Sequence, residues 1–209
     1  DASVKALVEG LQSQLKHLPD DPHHLYNTTP VSSESVSKTN MVSARAITMD
    51  VLDAAEDLDL VGILAHGTIE SGFANSLGQK NWFSKPSFNL DWSMYSHGDK
   101  AVKSGYSGSS WDSDVFKDKL TRGREQLELL GRPAKTIAPG AYRAYLTPAA
   151  VAEILGLLAW GSFSTKEIRS RKSPLLKLVE GEARLHADVS LSDNRADGVG
   201  PLFGPSGFP

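Results

Sequence analysis

The sequence contains no cysteine, which excludes disulfide scaffolds, thiol catalysis and zinc sites built on cysteine ligands. It also has no run approaching the roughly 20 apolar residues that a membrane-spanning helix needs. Nothing at its start has the charged and apolar regions of a secretory signal peptide. We therefore expect a protein without membrane-spanning segments that resides in the cytoplasm.

Basic residues are too few for a general polyanion binder. The 209 residues include 22 Lys and Arg against 25 Asp and Glu, which gives a formal net charge of −3. Affinity for phosphate backbones comes from clustered cations, so this balance disfavours nucleic-acid binding. One basic run leaves contact with a nucleic acid or an acidic partner open, although a solvated face is the simpler interpretation. The run comprises Lys166, Arg169, Arg171, Lys172 and Lys177.

The common catalytic and phosphate-binding motifs are also missing. The six histidines form neither HExxH nor HExxxH, and no GxSxG or Walker sequence occurs. Gly105 to Gly108 is too short for a phosphate-binding loop and is typical of turn glycines. His186 and Asp188 would share the solvent face of a predicted strand and could bind an ion together, but an exposed strand face is the simpler interpretation. We predict no catalytic, cofactor-binding or metal-binding residue in this chain.

Apolar residues recur at helical spacing in three segments of the first 135 residues. The pattern predicts helices over about 4–18 and 42–58, and a third that begins at Trp111-Asp112-Ser113-Asp114, whose side-chain acceptors can cap it, and ends at Gly131. The polar stretch that leads to Asn40 is predicted to be a surface connection. The short apolar run 60–65 predicts a strand that a turn at His66-Gly67 ends.

Between the second and third helices, turn glycines alternate with strand-like segments. Residues 87–95 place apolar side chains on one face and polar ones on the other, which predicts an antiparallel meander of about four strands. Its aromatic residues could form a platform on which bases stack, but packing in the core is the favoured interpretation. They are Trp82, Phe83, Phe88, Trp92, Tyr95, Tyr106 and Trp111.

The remaining residues predict a second set of elements. Residues 141–146 predict a strand, Pro148 begins an almost wholly apolar helix over 149–160, and 183–191 alternate like an amphipathic strand. The helix has no polar face, so we expect it to be buried on most sides, either within this chain or, where the covering layers lie outside it, against a partner. The fold class is therefore α+β: two N-terminal helices, an antiparallel β-meander and a helix over 1–135, then the start of a second α+β domain over 136–209.

Residues Pro139 to Leu155 resemble the PGxYxVxLxPxAVAxLL signature of the TldD/PmbA (TldE) family. This family contains zinc-dependent peptidases and inactive homologues once called modulators of DNA gyrase. The resemblance implies a middle domain and the truncated beginning of a C-terminal domain. Other segments follow in the family's order: Phe73 to Gly78 (its NS-x-G turn), Ser173 to Leu175 with Glu180 to Glu182, Ser192 to Asn194, and Phe203 to Pro209, where both acidic positions of fD-x-EGxP are lost.

The resemblance also carries an expectation about activity. Active members have HExxxH on the helix after the PGxYxVxL strand, whereas residues 156–161 here read Gly-Leu-Leu-Ala-Trp-Gly. Glycine and leucine cannot replace imidazole and carboxylate as zinc ligands. The resemblance therefore implies a non-catalytic PmbA/TldE-like subunit that pairs with a TldD-like metallopeptidase subunit or forms a homo-oligomer, handles peptides, and leaves zinc to its partner. A nucleic-acid or DNA-gyrase-associated binding module is the alternative.

Overall fold

The computed structural model of the protein describes residues 2–20, 28–96, 98–192 and 194–208. The chain divides into unit 1, Asp1–Arg132 with Arg195–Pro209, and unit 2, Pro133–Asn194. The predicted α+β class is confirmed. The elements of unit 1 are α1 (Ala2–Leu15), β1 (Ser33–Val36), α2 (Ala44–Ala54), β2 (Asp59–Ala74), β3 (Lys80–Tyr95), β4 (Ala101–Gly108), α3 (Ser113–Leu130) and a 3-10 turn at Arg195–Asp197. Those of unit 2 are α4 (Pro148–Ala159), α5 (Thr165–Arg169) and α6 (Leu176–Val179).

The four strands form one mixed sheet around β3. β2 pairs antiparallel with β3 along its whole length on one side. On the other side, β1 pairs in parallel with the first part of β3, and β4 pairs antiparallel with its second part. The predicted meander is therefore confirmed for β2, β3 and β4. The prediction of a surface connection is wrong for β1, because its polar sequence Ser-Glu-Ser-Val carries no apolar alternation that would indicate a strand.

Proline and glycine lie within the strands rather than only at turns. β2 continues through Gly67, so the turn predicted there is wrong. Gly105 lies inside β4, opposite Asp91, where a Cβ would come within 2.9 Å of Asp91 Oδ1. Pro86 lies in β3 between the residues that pair with β1 and those that pair with β4. This gap is the part of a central strand where a missing amide hydrogen is tolerated.

The core of unit 1 lies between one face of the sheet and helices α2 and α3. The side chains of Phe88, Leu90, Trp92 and Met94 are each 4% exposed or less, which confirms the buried face predicted for this segment. Ile47 of α2 and the apolar stripe of α3 cover that face. The core cluster consists of Ile47, Val51, Leu90, Trp92, Met94, Val102, Phe116, Leu120 and Leu127. In contrast, no residue of α1 is buried, and its apolar stripe is exposed.

Helix α3 begins and ends as the sequence predicts. Asp112 is its N-cap, and Asp112 Oδ1 accepts hydrogen bonds from the amides of Asp114 at 2.9 Å and Val115 at 3.3 Å. These amides have no partner within the helix, so the carboxylate satisfies two donors. Gly131 is the C-cap.

We expect Asp112→Ala to lower the free energy of unfolding of unit 1 by about 1 kcal/mol, because two helical amides lose their acceptor. Urea unfolding followed by circular dichroism measures the change. The control is Asp118→Ala, which removes only an exposed ion pair with Arg122 and should cost less than about 0.5 kcal/mol. Equal losses in the two variants would contradict the capping role.

Unit 2 differs most from the predictions. Residues 141–146 and 183–191 are not strands, so both strand predictions are wrong. No described residue of unit 2 is in a strand, so neither segment has a neighbour to pair with there. Helix α4 is where its pattern places it, with Thr147 Oγ1 accepting from the Ala150 amide at 3.3 Å and Pro148 in the first turn. No residue of α4 is buried, so the expectation of a buried helix is wrong.

The last described residues return to the sheet of unit 1. Lys85 Nζ donates to the carbonyl of Gly198 at 2.7 Å, and Gln79 Nε2 donates to that of Gly207 at 2.7 Å. Gln79 is fully buried, and its amide also donates to Asn81 Oδ1 at 2.7 Å. Residues 195–208 are therefore held to the sheet by one buried and one half-buried polar contact. No helix within the described ranges is both long and apolar enough to cross a bilayer.

Candidate functional site

His186 and Asp188, which the sequence suggests as a pair that could bind an ion, lie close together, but both side chains are exposed. His186 Nδ1 lies 3.4 Å from Asp188 Oδ2, and the two side chains are 77% and 91% exposed. In the part of the chain that the structure describes, no group of three or more His, Asp or Glu side chains could hold a metal ion. His23, His24 and His97 lie outside the described residues. The pair is a local contact in an irregular segment, not the face of a strand.

The basic run is spread over two short helices and the turn between them. Lys166 and Arg169 lie on α5 and Lys177 on α6. Arg171 follows α5 and has a positive φ of +59°. It pairs with Glu180, with Arg171 Nη1 2.5 Å from Glu180 Oε1. Part of the positive charge is therefore neutralised within unit 2, and the run forms no continuous basic stripe along one helix.

The aromatic residues of the sheet form a packed network. The Phe88 ring meets Tyr106 edge-on at 5.0 Å and Trp111 at 5.4 Å between centroids. Trp92 and Phe116 are 5.4 Å apart, also edge-on. This arrangement is typical of a protein core, and the predicted packing role is confirmed for Phe83, Phe88 and Trp92, which are buried. Trp82 and Tyr95 are instead about two-fifths exposed, at 42% and 43%.

Residues 156–161, which the resemblance aligns with HExxxH, complete α4 and its C-terminal turn. They consist of two glycines, three aliphatic residues and one tryptophan, so their side chains contain none of the nitrogen and oxygen ligands that zinc uses. This segment does not fit a zinc ion. Its most exposed side chains are apolar: Leu157 is 76% exposed and Trp160 is 89% exposed.

These two side chains are among four large apolar residues exposed on α4 and its C-terminal turn, which recur every three residues and so wind about half-way round the helix. Val151 is 39% exposed and Ile154 is 46% exposed on the same helix. Glu153 is the only charged residue between Pro148 and Ala159. An exposed and almost continuously apolar helix is typical of a surface that another molecule covers. We define Val151, Ile154, Leu157 and Trp160 as the α4 surface.

A second exposed apolar surface lies along β2 in unit 1. A cavity of about 340 Å³ opens between α2 and the sheet, and Val61 and Ile63 on the other face of β2 are 63% and 76% exposed. Sequence reasoning missed it, although residues 60–69 contain no Asp, Glu, Lys, Arg or Pro. This uncharged run was the feature of the sequence that could have indicated the surface along β2. The cavity is lined by Thr48, Val51, Leu52, Leu60, Gly62, Leu64 and Leu90.

The described residues therefore present exposed apolar surfaces on α4 and on β2, besides the exposed stripe of α1, and they form no metal-binding cluster. Comparison with family models, curated proteins and solved structures gave no match to this chain. Its function must be inferred from its own residues.

Proposed function

We propose that this chain is a non-catalytic PmbA/TldE-like subunit of a TldD/TldE-type metallopeptidase complex that processes peptides in the cytoplasm. One observation carries the proposal. Helix α4 contains the PxAVAxLL part of the family signature, although residues 141–146 do not form the strand that precedes this helix in the family, and the HExxxH positions contain apolar residues instead of zinc ligands. A helix with this composition cannot bind the metal, but it can bind another protein.

The partner in this proposal is a TldD-like subunit, which carries the zinc and cleaves the peptide. Burying an exposed tryptophan and leucine contributes strongly to association, because large side chains at the centre of an interface supply much of its energy. The α4 surface includes both Leu157 and Trp160, and Glu153 is the only charged residue of α4. The role of this chain is to bind and complete the assembly, with the peptide bond broken by residues of the partner.

Metal content and peptide cleavage of the purified proteins test whether zinc and cleavage belong to the TldD-like subunit. We expect this chain alone to hold no zinc and to cleave no peptide, and the complex with a TldD-like subunit to show both. Stoichiometric zinc and cleavage by this chain alone would contradict the proposal, and His186 and Asp188 would then be the first residues to replace.

Substitution on α4 tests the binding surface. We expect Trp160→Glu to weaken association with the TldD-like subunit by about 30-fold or more, because losing a central tryptophan costs about 2 kcal/mol or more. The matched control is Ile137→Glu, since Ile137 is 70% exposed in unit 2 but lies outside α4. Equal affinities of the two variants would contradict a role for α4.

The nucleic-acid alternative has its own signature. Binding of DNA that weakens steeply with salt, and is lost on replacing Arg169 and Lys172, would favour it over the peptidase subunit. The structure adds no observation in its favour, since Arg171 of the same run is paired with Glu180.

A further inference from the structure

A short gap separates β1 and β4 on the side of β3 that they share. The pairing with β1 ends at Val36 opposite Ser84, and the pairing with β4 ends at Gly108 opposite Phe88. Among the described residues, no strand lies beside residues 85–87 of β3 on this side. A cavity of about 420 Å³ opens at this position, and we call it the gap cavity.

The polar lining of the gap cavity consists of hydrogen-bond donors around one positive charge. Lys85 is its only charged residue, and Lys85 Nζ donates to the carbonyl of Gly198 at 2.7 Å. An ammonium has three N–H donors, so two remain for another acceptor. Ser87 and Ser109 also line the cavity and are half-buried, and neither hydroxyl is hydrogen-bonded to another described residue. An ammonium and hydroxyl groups in this arrangement favour an anion.

The other part of the lining is apolar. Phe83 and Phe88 are 3% and 1% exposed, and they belong to opposite faces of the sheet because side chains alternate along a strand. The cavity that both of them line therefore enters the sheet itself at the gap. Ile69 and Val199 add two more apolar side chains. Inorganic phosphate would leave these surfaces uncovered, whereas a molecule with both an anionic group and an apolar side chain would cover them.

The length of the gap and its charge favour the carboxyl end of a peptide. β1 and β4 close the gap on its two sides, so an extended chain cannot run through it and must end there. An amino terminus, or a free amino acid, would bring an ammonium, and no Asp or Glu lines the cavity to receive it. Asp91, farther along β3, lies outside the lining and accepts from Asn89 Nδ2 at 2.8 Å. A carboxyl terminus brings one negative charge to the single ammonium.

We infer that the gap cavity binds the C-terminal residue of a peptide. The carboxylate accepts from Lys85 Nζ and from the hydroxyls of Ser87 and Ser109, and an apolar side chain lies against Phe83 and Val199. The volume of about 420 Å³ is near the lower end of the range for ligand cavities, about 300–1,000 Å³, and suits one residue.

This inference does not rest on the proposed function, because the cavity lies within unit 1 and involves no TldD-like subunit. Zinc and cleavage by this chain alone would contradict the proposed function without affecting the gap cavity. A gap cavity that binds no peptide end would leave the role of α4 unaffected. The two proposals therefore fail separately.

Nuclear magnetic resonance titration of the full chain with N-acetyl-L-leucine tests the site. We expect saturable shifts of the amides in 85–89, 107–109 and 198–199, with a dissociation constant of about 1 mM. N-acetyl-L-leucine amide lacks the charge, L-leucine adds an unpaired ammonium, and inorganic phosphate lacks the apolar side chain. Each should therefore bind about tenfold more weakly or less. No saturable shift at about 10 mM N-acetyl-L-leucine, or equal binding of any of the other three probes, overturns the inference.

Substitutions in the cavity test the contacts of the carboxylate. Lys85→Gln removes the charge but keeps an N–H that can donate to Gly198, and it should raise the dissociation constant about tenfold or more. The matched control is Lys103→Gln, on β4 outside the cavity, which should leave the constant unchanged. Ser109→Ala should raise the constant about threefold or more, and it does not touch the contact that holds residues 195–208. Equal affinities of the two lysine variants, or full affinity of Ser109→Ala, overturn the inference.

Discussion

Replacing Phe88 with aspartate is expected to unfold unit 1. The side chain is 1% exposed and its ring packs edge-on against Tyr106 and Trp111. Losing a buried phenylalanine costs about 3–5 kcal/mol, and an unpaired carboxylate in its place adds several more. The sum approaches the total stability of a domain, which is about 5–15 kcal/mol. Calorimetry and near-ultraviolet circular dichroism should show no cooperative transition and no fixed aromatic packing for unit 1.

The matched control for this variant lies on the same strand. Tyr95→Asp replaces an aromatic residue of β3 that is 43% exposed, and we expect a loss of about 1 kcal/mol or less. If Phe88→Asp stays folded and loses only binding, then the aromatic cluster is a ligand surface and its assignment to the core is wrong.

Replacing Gly207 with valine is expected to release residues 195–208 from the sheet. Gly207 has φ +80°, a conformation that costs a residue with a Cβ about 1–2 kcal/mol. That Cβ would also overlap the Phe73 ring, and overpacking of this kind costs about 1–3 kcal/mol. We therefore expect a total loss of about 2–5 kcal/mol. Hydrogen exchange of the amides in 195–208 measures it directly.

Gly198→Val separates the two contributions. Gly198 also has a positive φ, +68°, but a Cβ there would have nothing within 4 Å. This variant should therefore lose only the conformational part, about 1–2 kcal/mol. Equal losses at Gly198 and Gly207 would mean that the contact with Phe73 does not hold this segment in place.

Local sequence patterns were sufficient for the elements of unit 1 that pack against one another. The stripe of α3 and the buried face of β3 were predicted, because periodicity of apolar residues shows which face is buried, and the capping segment 111–114 was predicted without singling out Asp112. Strand lengths were not predictable in the same way. Gly67 suggested a turn but lies inside β2, since a glycine inside a strand depends on what its neighbouring strand brings close.

The two candidate surfaces could be predicted from the sequence to different degrees. The composition of α4 and the absence of ligands at 156–161 were evident from the residues alone. The exposure of α4 was not, and the expectation that it is buried was wrong because an apolar pattern shows a need for cover without showing what supplies it. The β2 surface was missed because it joins residues of α2 and β2 that only the fold brings together.

By itself, the sequence determined the α+β class, the buried face of β3, the ends of α3 and the lack of zinc ligands at the HExxxH positions. These features depend on residues near one another in the chain. Only the tertiary structure decided that β1 joins the sheet, that Pro86 lies in the gap between β1 and β4, and that Gln79 holds residue 207. Such features need contacts between distant residues, which local periodicity does not record.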